Sequence, residues 1–123
     1  MHAFSRHILR IGLGITFLSI GIMILRAPEA WGGYILPWAA RLLPVSINEA
    51  MQATAILDIA IGAALILNLW TWFAALIGAL HIVIVLITSG ITDITVRDIG
   101  LFAAAIALTL DLLPQKFRDR VKV

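Results

Sequence analysis

Apolar residues in this chain come in long continuous runs and not in two-residue alternation. A helical span needs about 20 apolar residues, because the hydrocarbon is about 30 Å thick and a helix rises about 1.5 Å per residue. Four stretches match or approach that length: residues 8–25, 47–69, 71–89 and 97–113. Continuous runs argue for helices, and only helices or closed barrels satisfy their backbone groups in lipid. The pattern therefore predicts an all-α integral membrane four-helix bundle, with residues 1–123 forming a single membrane domain. The first and fourth runs are short and bounded by charges. Arg10 and Arg26 flank the first and are expected to snorkel toward the head groups. The fourth holds Asp111 in its last turn, before Pro114.

Residues 26–46 form the one long connection on the side opposite the termini. Pro28, Pro37 and Pro44 forbid a long helix there. Trp31, Tyr34, Ile35, Trp38 and Leu42 fall at helical spacing, which predicts a segment lying flat at the outer interface and broken at Pro37. One reading makes it a lid anchored in the head groups. The other makes it a cap over a pocket between the helices. Aromatic belts are ordinary at interfaces, which favours the first. Trp70 and Trp72 mark the inner interface at the tight turn between the second and third runs.

Composition sharpens this picture. The chain is 62% hydrophobic and 13% charged, with mean hydropathy +1.05. A soluble domain of this size has too little interior to hide that much apolar surface. The pattern after the first run is a poor signal-peptide cleavage site, so that run is expected to stay as a span. With four crossings, Arg6, Arg10, Lys116, Arg118, Arg120 and Lys122 share one side, and Arg26, Arg41 and Arg97 share the other. This bias puts both termini in the cytoplasm of a multi-pass cell-membrane protein. The basic tail, residues 115–123, then reads as a topology anchor.

Ionisable residues at bilayer depth cost roughly 2.5–3.5 kcal/mol or more, so each needs a reason. Asp58 lies in the middle of the second run, with Thr54 and Gly62 one turn to either side. His81 lies in the middle of the third. Asp58 is eleven residues before Leu69 and His81 eleven after Trp70, so an antiparallel hairpin sets both at one depth. If their faces meet, they form either a buried structural hydrogen bond or a proton relay or ligand anchor. The fourth run carries a stripe of Gly100, Ala104, Ala107 and Asp111, read as a close-packing face. Asp111 is expected to meet the basic termini. At the outer surface Asp98 suits a helix N-terminus, and Arg97 is placed to reach Glu49 in an ion pair.

Other chemistry is missing. With no cysteine there is no disulfide, thiolate site or thiol nucleophile. No metal site is expected. A single histidine within the spans argues against haem, and no phosphate-binding loop, metalloprotease motif or basic nucleic-acid patch occurs.

The sequence resembles the DoxX-like family of small membrane proteins. Arg10-Ile-Gly-Leu-Gly14 followed by Phe17-Leu18 and Gly21 is similar to the family's first-helix pattern, and Asp58 four residues before Gly62 to its second, where the acid is more often Glu. Arg97-Asp98 looks like its fourth-helix start. The resemblance implies a four-helix bundle acting as an accessory or scaffold subunit of a quinone-linked membrane oxidoreductase, without catalytic activity of its own. With no cysteine and one histidine within the spans, the chain is expected to bring no cofactor of its own, and quinone or lipid is the ligand expected between the helices. Candidate partners are the bilayer, oxidoreductase subunits and further copies of the chain. The alternative is a small proton-coupled transporter using Asp58.

Overall fold

The computed structural model describes residues 1–121, so Lys122 and Val123 of the basic tail lie outside the described residues. The described residues are helical throughout and contain no strand. Seven helices follow in order: α1 (Ala3–Arg26), α2 (Pro28–Gly32), α3 (Pro37–Leu42), α4 (Ile47–Ile66), α5 (Thr71–Ser89), α6 (Val96–Leu112) and α7 (Gln115–Arg118). Three of them, α1, α4 and α5, are long and apolar enough to cross a membrane. Helix α6 has 17 residues, about 26 Å of rise, and carries Arg97, Asp98 and Asp111.

Local chemistry sets the boundaries. The Ser46 hydroxyl accepts from the Glu49 amide at 3.2 Å and starts α4. Pro28 and Pro37 each open a short helix, where a missing N–H costs nothing. The outer segment is therefore interrupted over residues 33–36, and Pro37 begins its second half instead of breaking it. Helix α4 ends at Ile66, three residues short of the sequence boundary, because the turn to α5 needs left-handed backbone at Asn68 (φ 57°) and Trp70 (φ 45°). The Thr71 hydroxyl donates to Asn68 Oδ1 at 2.6 Å and ties that turn together.

Glycine decides the packing of α1 on α4. A Cβ on Gly62 would lie 2.5 Å from the Leu18 nitrogen and 2.7 Å from the Gly14 carbonyl oxygen. Only bare backbone permits that approach. Gly21 repeats the contact against Ala55 and Ile59. Arg10 reinforces the pair in an unexpected way. It is buried, not extended to the head groups, and its guanidinium donates to the Leu65 and Ile66 carbonyl oxygens at 2.6 and 2.8 Å. A cation thereby satisfies the Ile66 carbonyl at the negative end of α4 and adds a donor to that of Leu65, which also accepts from the Asn68 amide at 3.3 Å.

Helix α6 packs chiefly on α5, so the four long helices form two tight pairs, α1/α4 and α5/α6. At the inner half the pairs close on a core of Leu13, Phe17, Ile61, Leu65, Ala79 and Leu108. Asp111 ties α6 to the N-terminal end of α1, accepting from Arg6 Nε at 2.5 Å and from the Met1 amino group at 2.8 Å. Large apolar side chains such as Ile15, Ile56, Leu80, Ile84 and Ile87 stand exposed around the outside, the surface that lipid would cover.

Candidate functional site

Above the inner core the two helix pairs separate, and the gap is a cavity of about 700 Å³. That size suits one small lipophilic molecule. The outer segment covers it. Trp31, Tyr34 and Ile35 line the cavity, whereas Trp38 and Leu42 point outward and are 45% and 75% exposed. The aromatic stripe is thus divided between a cap and an exposed outer face. The Leu36 amide donates to the Thr88 carbonyl oxygen at 2.8 Å and pins the cap to the end of α5.

The floor is polar. Asp58 and His81 face each other across α4 and α5, with His81 Nε2 3.1 Å from Asp58 Oδ1. The contact is close but not an aligned hydrogen bond, and Oδ1 is buried without a donor. Asp58 is only 3% exposed and lines the base of an apolar chamber, with Oδ1 itself enclosed and accepting no hydrogen bond from the chain. Thr54 lines the same wall one turn above Asp58, and Thr16 of α1 stands on the opposite wall. Asp98 also lines the cavity and lies within electrostatic reach of both Asp58 and His81.

Arg97 lines the cavity from α6, and no ion pair among the described residues joins it to Glu49. Glu49 is instead exposed in the first turn of α4. The expected outer pair is not formed, because Arg97 is turned to the cavity and Glu49 away from it. The stripe on α6 also differs from expectation. Gly100 and Ala107 are exposed, a Cβ on Gly100 would meet nothing within 4 Å, and the buried positions are Ala105, Leu108 and Thr109. Small residues permit close approach but do not compel it, and α6 spends its buried face on α5.

Two features escaped the sequence reading. Thr16 and Phe17 complete the chamber from α1, and a threonine in an apolar run was a weak signal for it. The Arg10 cap could have been found by matching depths between α1 and α4, as was done for Asp58 and His81. No cluster of His, Cys, Asp and Glu among the described residues could hold a metal ion. The chain matches no protein-family model, no curated protein and no solved structure.

Proposed function

We propose that this chain is a DoxX-like membrane protein whose cavity binds one lipophilic small molecule, a quinone or a lipid-derived compound, as an accessory subunit of a quinone-linked membrane oxidoreductase. In this reading α6 is the fourth crossing, with local thinning or snorkelling of Arg97 accommodating its short length. Both termini lie in the cytoplasm, on the side richer in lysine and arginine.

One observation carries the ligand-binding part: an apolar chamber of about 700 Å³ with a carboxylate at its base whose Oδ1 accepts no aligned hydrogen bond from the chain. Pockets that hold small molecules combine apolar walls with a few placed polar groups. The oxidoreductase part rests on the resemblance of the first, second and fourth helices. The chain has no cysteine, and its one cavity histidine faces a carboxylate, so the redox group would belong to the ligand or a partner.

Purification in mild detergent, followed by solvent extraction and mass spectrometry, is expected to recover a lipophilic compound in amounts comparable with the protein, together with partner subunits. Clean protein carrying neither overturns the reading. The buried Asp58 carboxylate also favours a second function, proton-coupled transport, since intramembrane acids often mark proton routes. Asp58→Asn in reconstituted vesicles tests it, and unchanged flux removes Asp58 as the coupling site.

A further inference from the structure

The cavity has a side as well as a floor. Helical spacing puts Arg97, Gly100, Ala104 and Asp111 on one face of α6. At its inner end this face is held to α1 by the Asp111–Arg6 ion pair. At its outer end nothing closes it. Gly100 lines the cavity, is exposed and has open space where a side chain would stand. On α1, three residues before that helix ends at Arg26, Met23 also lines the cavity and is 52% exposed. Residues that touch both the chamber and the outside mark an opening between them. On the α4/α5 side Ile84 likewise lines the cavity and is 58% exposed, but there Asp58 and His81 meet across the seam at 3.1 Å. The top is covered by the Trp31–Ile35 cap, which is bonded to α5.

We propose that the chamber is filled sideways from the outer leaflet, through an aperture between α1 and α6 at Gly100 and Met23, by a lipophilic molecule that carries a hydrogen-bond donor. The inference rests on the ligand-binding reading above. The route follows from where the wall is missing: a molecule dissolved in lipid meets this opening without crossing water. The donor follows from Asp58. A carboxylate oxygen accepts hydrogen bonds, Asp58 lines the chamber, and no aligned hydrogen bond from the described residues reaches its carboxylate. A hydroxyl group satisfies it, whereas a molecule offering only carbonyl or ether oxygens leaves it unpaired. For a quinone-type ligand this selects the reduced, hydroxyl-bearing form.

The test uses the full chain in nanodiscs, with decylhydroquinone and its dimethyl ether as probes under anaerobic conditions and binding followed by tryptophan fluorescence. Wild-type protein is expected to bind the hydroquinone about tenfold or more tightly than the ether, the loss expected of one charge-assisted hydrogen bond. Asp58→Asn should abolish that preference. Gly100→Trp, which places a large ring in the opening, should slow association by about tenfold or more. A second block uses the absence of native cysteine: Met23→Cys with Gly100→Cys, bridged by a short bis-maleimide, should slow association likewise. If wild type binds neither probe, the ligand-binding reading fails and takes this inference with it. If it binds but both blocked forms fill at the wild-type rate, the lateral route alone is overturned. Equal affinity for the two probes overturns the donor requirement.

Discussion

His81 Nε2 lies 3.1 Å from Asp58 Oδ1, yet no aligned hydrogen bond joins them, so the carboxylate is buried beside an imidazole without being satisfied by it. A pair kept for structure would be expected to align, since misalignment forfeits much of the bond and retains the cost of burial. Asp58→Asn removes the charge and keeps the shape. The ligand-free variant is therefore expected to be at least as stable as wild type, because no aligned hydrogen bond is lost with the carboxylate. Denaturant unfolding in micelles measures this. A clear loss of stability would identify the pair as a structural bond.

The close approach of α1 and α4 makes a sharper prediction about glycine. A methyl group at Gly62 meets backbone atoms of Gly14 and Leu18 at under 3 Å, and backbone of two packed helices cannot step aside locally. Gly62→Ala is expected to cost about 1–3 kcal/mol, the range for overpacking. Gly12→Ala and Gly100→Ala meet open space and should be neutral or slightly stabilising, because alanine favours helix over glycine. Thermal unfolding of the three variants side by side tests the contrast, and equal effects would refute this packing.

Arg10 should behave as a cap and not as an interfacial anchor. Arg10→Met keeps length and apolar contact but removes the guanidinium donor from both carbonyls, leaving Leu65 with only the Asn68 amide. The expected loss is about 2 kcal/mol or more, given two charge-assisted bonds. Arg10→Lys should recover part of it, since an ammonium can reach one carbonyl but lacks the planar fork that spans two. A lysine variant as unstable as the methionine one would argue that packing, and not charge, is what Arg10 supplies.

The orientation can be read with single cysteines, because none is native. Val45 lies on the loop side of α4 and Leu69 in the turn at its other end, and both are exposed. In intact cells a membrane-impermeant maleimide should label Val45→Cys, while Leu69→Cys should react only after the membrane is opened. The reverse pattern would place the termini outside.

Depth along the bundle was legible in the chain because it is a one-dimensional quantity. Counting eleven residues either way from the Leu69-Trp70 turn puts Asp58 and His81 level, and they lie level and in contact. Asp111 was expected among the basic N-terminal groups by the same reasoning, and it meets Arg6 and the Met1 amino group. Rotation about a helix axis was not legible. Glu49 and Arg97 share a depth but turn apart, and the small-residue face of α6 remains open at Gly100 although its composition suited packing.

By itself, then, the sequence determined the long helices, their ends within a few residues, the turn at Asn68–Trp70 and the shared level of Asp58 and His81, though not the buried place of Arg10. These depend on runs, caps and residue counts, which are local. Only the tertiary structure decided which helices pair tightly. The glycines of α1 and α4 bring those two together, α6 commits its buried face to α5, and the remaining space between the pairs becomes the cavity. A void belongs to no single segment; it is what remains when several helix rotations are satisfied together, so the chain could offer a pocket beneath the 26–46 segment only as one of two readings, and the packing decided for it.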